Sequence, residues 1–307
     1  ASEHLKHIIN KSVKSHMISD VPVGFFLSGG IDSSLVTMVA RDLSDRVSAF
    51  SIGFDIEEHS ELKFAKNFAN NLGINHKSKI LTSGIAQHMY HKMAEWYDEP
   101  FADTSALPTH MVSKFAKENV TVVLTGDGGD EIFGGYNWYM RFSRLMKYDL
   151  SRFKKLKWLL QENGNTQFNA SNKIRRKIDL LLMNDLEKYS TIMGGMRNNH
   201  KLKYKTMWNI EDDYDDIWYF RKYYLPDLPL FTRLQYLDIH TYLHDDILTK
   251  VDRTSSMAVS LEARVPLLSR EIVEFSFSIP QNIRLHGGQL KGIIKHAYKD
   301  QLPSDLL

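Results

Sequence analysis

The sequence predicts an α/β protein with a parallel, doubly wound sheet and a mostly helical second half. Over residues 1–136, short apolar runs alternate with helical apolar patterns, as expected when a helix follows each strand of a parallel sheet. From residue 137 onward, strand-like runs are scarce and helical spacing dominates. We therefore expect an α/β core over residues 1–136, with residues 137–307 forming a helical part that packs on the core and completes its ligand site.

The predicted elements alternate in order along the chain. Apolar runs predict strands at residues 23–27, 47–53, 74–81 and 121–124. Helical spacing predicts helices at residues 35–43, 64–72 and 104–118 in the first half. In the second half it predicts helices at residues 138–160, 174–183, 217–224 and 230–248. Because ligands bind at the carboxyl ends of parallel strands, we expect the residues that follow each strand to converge there.

The composition limits the class of protein. The chain has 307 residues, of which 43% are hydrophobic and 25% charged, as is typical of soluble globular proteins. A net charge of +2 argues against strong attraction to nucleic acid or to a membrane surface. No apolar stretch reaches the ~18 residues of a membrane-spanning helix and no signal-peptide pattern is present, so we expect a cytoplasmic protein. The absence of cysteine excludes disulfides, thiolate metal sites and cysteine nucleophiles.

The segment 28–34, of sequence SGGIDSS, lies between a predicted strand and a predicted helix. Its two glycines allow a ligand to approach the backbone closely. The hydroxyls of Ser33 and Ser34 and the free N–H groups of the helix start favour a phosphate group. Asp32 would repel phosphate unless a cation lies between them, so we interpret it as a magnesium ligand. The simpler alternative is a Gly-Ser turn in which Asp32 or Ser33 caps the helix.

A second glycine-rich segment, TGDGGDE at residues 125–131, follows the strand predicted at 121–124. It combines three glycines with three acidic residues, and clustered acidic side chains need a cation or a basic neighbour. A calcium-binding loop would also supply acidic ligands. The spacing, however, lacks the alternating oxygen ligands and the distant glutamate of that motif.

Four motifs occur in order along the chain. They are SGGIDSS at 28–34, TGDGGDEIFGGY at 125–136, TKVDRTSSMAVSLEARVPLL at 249–268 and GGQLKGIIK at 287–295. Together they resemble the synthetase domain of the asparagine synthetase family, over nearly the whole chain from residue 5 to residue 302. The resemblance implies the PP-loop (ATP-pyrophosphatase) fold, of the adenine nucleotide alpha hydrolase-like type. β-Lactam synthetase, carbapenam synthetase and some amidotransferases share this domain.

The resemblance implies a site for ATP and magnesium. Asp32 and Asp130 would bind Mg²⁺, and Asp127 and Lys291 would be the catalytic residues. As an isolated residue at a helix start, Lys291 would instead be expected on the surface. The full set implied to bind ATP and pyrophosphate is Leu27, Ser28, Gly29, Gly30, Asp32, Ser33, Ser34, Ile52, Thr125, Gly126, Asp130 and Lys291.

The implied reaction is the ATP-dependent amidation of a carboxylate. The carboxylate forms an acyl adenylate and releases pyrophosphate, and ammonia then displaces AMP. Such an enzyme is a carbon–nitrogen ligase of the glutamine-hydrolysing asparagine synthase type, acting on aspartate or a related acceptor. Three alternatives stay open: intramolecular cyclisation as in β-lactam synthetase, an amidotransferase of cell-surface sugar biosynthesis, and a nucleotide-binding module without catalysis.

The resemblance also concerns the partners of this chain. The sequence contains no Cys-initiated glutaminase domain. We expect either a fragment of a longer amidotransferase, whose full-length chain carries a glutaminase domain, or a free-standing synthetase domain supplied with ammonia, and we favour the fragment. The expected partners are a small-molecule carboxylate and ammonia, without nucleic acid or membrane. A homodimer is one option for the oligomeric state.

Several residues depart from the family pattern or allow two interpretations. Asp127 occupies the position of a glutamate, residues 253–257 appear in a stretch one residue longer than usual, and Ser269 stands where relatives often carry aspartate. Arg264, in a stretch interpreted as helical, is expected to pair with Glu262 or Asp252 and brace the domain rather than contact the substrate. Asp103 is expected to cap a helix rather than line the substrate pocket.

Overall fold

The computed structural model describes residues 1–55, 61–146, 150–151, 153, 177–193, 207–211 and 214–307. Its centre is a five-stranded sheet in which every neighbouring pair of strands is parallel. The strands are β1 Val23–Phe26, β2 Ser48–Phe54, β3 Asn75–Leu81, β4 Val122–Leu124 and β5 Glu262–Arg264. The predicted α/β class with a parallel sheet is therefore confirmed.

The strand order is β3-β2-β1-β4-β5. Strands β2 and β3 are added on one side of β1, and β4 and β5 on its other side, so the strand order reverses at β1. In doubly wound sheets, the crevice beyond the carboxyl ends of the strands at such a reversal is the usual ligand site. Strands β1 and β4 are direct neighbours there, with Phe25 opposite Leu124. The two glycine-rich segments that follow β1 and β4 consequently begin side by side.

Helices connect successive strands along the chain and pack on the sheet. The third helix ends at Gly73, which adopts a left-handed conformation with φ of 63° as helix-terminating glycines commonly do. One face of the sheet contributes Phe50 and Val123 to a core cluster with Ala116 of the sixth helix. The helices of this part are α1 Ser2–His16, α2 Ile31–Leu43, α3 Leu62–Leu72, α4 Ser83–Tyr90, α5 Met93–Trp96, α6 Ala106–Lys117 and α7 Gly129–Phe133.

Strand β5 was not predicted, because three residues of sequence Glu-Ala-Arg carry no strand pattern. The strand forms because the edge of β4 offers free backbone groups. Thr125 N donates to Arg264 O at 2.9 Å, and Glu262 N donates to Thr121 O at 3.0 Å. The helical interpretation of the stretch that contains Arg264 is therefore wrong at this position.

The Arg264 side chain braces the domain as expected. Its Nε donates to Glu262 Oε1 at 2.6 Å. One terminal nitrogen donates to the carbonyl oxygens of His16 and Ile18, both at 2.7 Å. These bonds tie the end of α1 to the edge strand of the sheet.

By its internal contacts the chain forms two compact units, one of residues 1–135 with 241–307 and one of residues 136–240. The expected helical part 137–307 is therefore not a single unit. Residues 241–307 return to the unit with the sheet because β5 lies in that sheet. The helices of this return are α12 Thr249–Val251, α13 Arg270–Ser278, α14 Gln281–Arg284 and α15 Gly292–Ala297, with π-helical segments at Ile239–Leu248 and Asp252–Met257.

The described part of residues 136–240 contains helices joined by turns, and no strand. Its helices are α8 Asn137–Met146, α9 Asp185–Ile192, α10 Trp218–Lys222 and α11 Leu230–Asp238, and residues 177–182 are also helical. Most of the helix predicted beyond Met146, and residues 174–176 of the next, lie outside the described residues. None of the described helices is long and apolar enough to cross a membrane.

Candidate active site

The loop between β1 and α2 is held by its own hydroxyl groups. Ser33 Oγ accepts from Ser28 N at 3.2 Å and donates to Gly30 O at 3.1 Å. Ser28 Oγ lies 3.0 Å from Ser33 Oγ and accepts from Gly30 N at 3.2 Å. Gly29 has a φ of 91°, a conformation that side chains disfavour. The loop therefore has a defined shape before any ligand is considered.

The helix-capping alternative for this loop is wrong. The N-cap position of α2 is Gly30, and in the described structure no side chain caps the helix. Asp32 and Ser33 both lie inside the first turn of the helix. The first backbone N–H groups of α2 are thus left for other partners, as at anion-binding helix starts.

The Lys291 side chain joins the two glycine-rich loops. Its Nζ lies 2.5 Å from Asp32 Oδ2 and 2.7 Å from Asp130 Oδ1. Lys291 is 8% exposed, so the alternative of an ordinary surface lysine is wrong. Its backbone is left-handed with φ of 55°, directly before α15. For a residue other than glycine this is an uncommon conformation, of the kind that clusters at functional sites.

Asp32 is buried, and its two carboxylate oxygens differ in their surroundings. Oδ2 accepts from Lys291, whereas Oδ1 is buried and has no hydrogen-bond partner within the described part of the chain. A buried carboxylate oxygen without a donor is costly. Oδ1 of Asp32 therefore remains available to bind a ligand at the start of α2.

Glycines of the second loop make room for this cluster. A Cβ on Gly129 would overlap the Asp32 carboxylate, and a Cβ on Gly126 would overlap the backbone at Ser33. A Cβ on Gly135 would overlap both Asp130 Oδ1 and Lys291 Cε. The glycines of TGDGGDEIFGGY thus allow the close approach of the two loops and of Lys291.

The charges in this cluster depend on each other. Burial raises the pKa of Asp32, and the negative charges of Asp130 and Asp127 act in the same direction, against the attraction of Lys291. Burial alone would lower the pKa of Lys291, but the carboxylates of Asp32 and Asp130 outweigh it and hold that pKa above its usual value. The lysine is therefore a cation at neutral pH, placed between two acidic residues.

The carboxyl group of Asp127 interacts electrostatically with Asp130 of the same loop and with a second buried lysine, Lys250. Burial raises the pKa of its carboxyl group, and Asp130 adds to this effect. A hydrogen bond from Thr125 and the positive charge of Lys250 oppose it. Lys250 is itself buried, and its Nζ lies 2.8 Å from both Asp103 Oδ2 and Ser105 Oγ. The ionised Asp127 is thus a stronger base than an ordinary aspartate.

Lys250 was not singled out from the sequence, although it lies in the TKVDR motif. Its partner Asp103 is not the N-cap residue of α6, because that position is Ser105. Asp103 instead accepts from the backbone N and the Oγ of Ser105, both at 2.7 Å, and so holds the turn before α6. A sequence pattern could not show the Lys250–Asp103 pair, because it joins positions 147 residues apart.

Like Asp32 and Lys291, the predicted ligand residues Leu27, Thr125 and Ser34 are buried. Leu27 is 1% exposed, and its backbone N donates to Phe50 O. Thr125 is 2% exposed. Ser34 is 0% exposed, and its hydroxyl has no partner among the described residues. The contact of the Ser34 hydroxyl with phosphate that the resemblance implies therefore stays a prediction. By contrast, Ile52 inside β2 and Gly126, two residues after β4, are partly exposed.

Among the described residues, no group of three or more His, Cys, Asp or Glu side chains is arranged to hold a metal ion. The Asp32–Asp130 pair is smaller than such a group. Two carboxylates are nevertheless the usual protein contribution where substrate phosphates and water complete the coordination of Mg²⁺.

Comparison with known proteins gives a consistent family. The asparagine synthase family model matches residues 4–307. Asparagine synthetase [glutamine-hydrolyzing] 1 of Bacillus subtilis (strain 168) is 33% identical over 308 residues, which cover 99% of this chain and 48% of that protein. A putative asparagine synthetase [glutamine-hydrolyzing] of Mycobacterium tuberculosis (strain ATCC 25618 / H37Rv) is 29% identical, covering 99% of this chain and 46% of that protein. The chain spans about half the length of the curated relatives it matches.

Proposed function

Because this chain belongs to the asparagine synthase family, we propose that it catalyses the ATP-dependent amidation of a carboxylate through an acyl adenylate. One observation carries the proposal: Asp32, Asp130 and Lys291, from three distant segments, converge beside a phosphate-binding type of loop. A structural ion pair alone would not need the orphaned oxygen of Asp32 or the left-handed backbone of Lys291.

The loop of residues 28–33 would hold the pyrophosphate end of ATP. Its hydroxyls and the free N–H groups at the start of α2 supply donors for phosphate oxygens. Ile52 and Gly126 would frame the adenosine, because both are partly exposed, Ile52 near the carboxyl end of β2 and Gly126 just after β4. Leu27 and Thr125, which are buried, would support the backbone of the two glycine-rich loops.

The residues present fit a magnesium ion. Asp32 Oδ1 lacks a hydrogen-bond partner in the described structure. Asp32 Oδ2 and Asp130 Oδ1 both contact the ammonium group of Lys291, so the two carboxylates already share one cation. Carboxylate oxygens are the protein ligands that Mg²⁺ prefers. Asp32 and Asp130 would hold the ion, which would neutralise charge on the phosphates when bound.

In the first step, an oxygen of the substrate carboxylate would attack the α-phosphorus of ATP. The bond from that phosphorus to the bridging oxygen breaks, and pyrophosphate leaves with the electron pair. Lys291 would meet the charge that develops on the departing group. A fixed cation of this kind acts mainly in the transition state.

In the second step, ammonia would attack the acyl carbon and AMP would leave with its oxygen. The nitrogen must lose a proton, and Asp127 would accept it. Its raised pKa makes it a better base at neutral pH than an ordinary aspartate. We further propose that the acceptor is aspartate or a related carboxylate, and that a glutaminase domain supplies ammonia in the full-length protein.

The test is the formation of AMP and pyrophosphate from ATP with a panel of carboxylic acids, with and without ammonium. We expect one acid, with aspartate as the first candidate, to give an amide with free ammonia and no glutamine. AMP formation that does not depend on ammonia would indicate ring closure instead. No AMP with any acid, in protein that binds ATP, would contradict the proposal.

A further inference from the structure

The peptide bond between Leu27 and Ser28 joins strand β1 to the loop, and it is held from both sides. Ser51 Oγ of β2 donates to Leu27 O. Ser28 N donates to Ser33 Oγ at 3.2 Å. The orientation of this peptide sets the direction in which the loop leaves the sheet.

His76 of β3 supports the carbonyl side of this peptide through Ser51. His76 Nε2 lies 2.7 Å from Ser51 Oγ, and Ser51 is 3% exposed. The one hydroxyl proton of Ser51 goes to Leu27 O, so His76 must donate its Nε2–H to the serine oxygen. Burial and the nearby Lys66 lower the pKa of His76, which is consistent with a neutral ring that carries this proton.

On the N–H side of this peptide, the hydrogen bonds continue through Ser33 to Gly30. Ser33 Oγ accepts from Ser28 N and donates to Gly30 O at 3.1 Å. One unbroken series of donors and acceptors thus runs from His76 through Ser51 and the Leu27–Ser28 peptide to Gly30. Bonds in such a series polarise and strengthen each other.

We propose that Ser51 and His76 are positioning residues for nucleotide binding, which hold the Leu27–Ser28 peptide in the orientation that the phosphate loop requires. Both act through the backbone of Leu27 and touch no ligand themselves. The inference rests on the proposed function only in that the loop binds ATP. It is independent of the acceptor and of the amidation step.

The test compares two isosteric deletions of buried hydroxyls. Ser51→Ala removes the hydroxyl that donates to Leu27. Thr37→Val is the matched control, because Thr37 on α2 is 0% exposed and its hydroxyl has no partner within the described residues. We expect Ser51→Ala to weaken MgATP binding about tenfold in calorimetry, and Thr37→Val to leave it unchanged.

Two histidine variants extend the test. His76→Leu removes the donor and should weaken ATP binding in the same direction as Ser51→Ala. His76→Gln keeps an N–H donor and should retain more of the affinity. His76 is only partly buried, so His76→Leu is the variant to use should Ser51→Ala unfold. All binding is measured well below the thermal midpoint of each variant, where a loss of stability alone does not change the dissociation constant.

Wild-type ATP affinity in folded Ser51→Ala and His76→Leu would overturn the inference, as would an equal loss in Thr37→Val. Absence of MgATP binding to the unaltered chain would overturn both this inference and the proposed function. Selective weakening in the Ser51 and His76 variants, with no amide formed by any variant, would support the positioning role and count against the amidation proposal.

Discussion

The ammonium group of Lys291 lies 2.5 Å from Asp32 Oδ2, although 259 positions separate the two residues in the chain. The same nitrogen lies 2.7 Å from Asp130 Oδ1. The lysine therefore bridges the two carboxylates proposed to bind magnesium. The proposed binding of Mg²⁺ by Asp32 and Asp130 would compete with their contacts to Lys291, and the first four predictions perturb this group of side chains.

Asp32→Asn should abolish pyrophosphate release while the protein stays folded. The neutral amide is a poor Mg²⁺ ligand, whereas Asp130 remains as an ionic partner of Lys291. Pyrophosphate release is measured by a coupled assay, and folding by circular dichroism. Normal turnover, or an unfolded variant, would show that the metal assignment of Asp32 is wrong.

Lys291→Ala should slow adenylate formation about 100- to 1,000-fold and weaken ATP binding far less. The reason is that charge on the departing pyrophosphate develops only in the transition state. A pre-steady-state measurement of pyrophosphate release at saturating ATP checks this. An unchanged burst rate with a raised apparent constant for ATP would reduce Lys291 to a ground-state anchor.

The same variant should respond to Mg²⁺ in the absence of ATP. Without Lys291, the carboxylates of Asp32 and Asp130 lose their shared cation and repel each other. An ion that binds only the folded state then stabilises it. Thermal unfolding with increasing Mg²⁺ should raise the midpoint of Lys291→Ala by more than that of the wild type. Equal shifts in both proteins would argue against a common position for the lysine and the metal.

Gly135→Ala should lower the rate of adenylation about 100-fold, the cost of misplacing a catalytic group by about 1 Å. The added methyl group would overlap Asp130 Oδ1 and Lys291 Cε and so force the pair apart. Gly84→Ala is the matched control, because no described atom lies within 4 Å of its Cβ position. Equal rates in the two variants would mean that Lys291 and Asp130 need not stay in contact.

Asp238→Asn should remove a pH dependence of stability. Asp238 is 0% exposed and accepts from Tyr139, Tyr189 and Trp138. Burial raises its pKa from 3.8 to about 6, so the folded state binds this proton more tightly than the unfolded state. The stabilisation is fully present below pH 3.8 and is lost as the pH rises through about 6.

Urea unfolding at a series of pH values measures this effect. Relative to Asp238→Asn, the wild type should lose up to ~3 kcal/mol of unfolding free energy between about pH 4 and pH 7. Parallel stability curves for the two proteins would show that the pKa of Asp238 is the same in the folded and unfolded states.

Much of the fold was accessible from local patterns. The four predicted strands and the helices between them follow from the alternation of apolar runs and helical spacing, which depends only on neighbouring residues. Strand β5 could not be found in this way, because Glu262–Arg264 is a strand only through its pairing with β4. For the same reason the predicted boundary at residue 136 missed the return of residues 241–307 to the sheet unit.

The same distinction between local sequence pattern and tertiary contact applies to the candidate site. The sequence by itself determined which loops carry glycines, hydroxyls and acidic residues, and that they follow parallel strands. Only the tertiary structure decided that Lys291 lies between Asp32 and Asp130, that Ser34 is buried, and that Ser51 contacts both His76 and Leu27. These relationships depend on distances between remote segments and on solvent exclusion. Neither quantity exists until the chain has closed around the site.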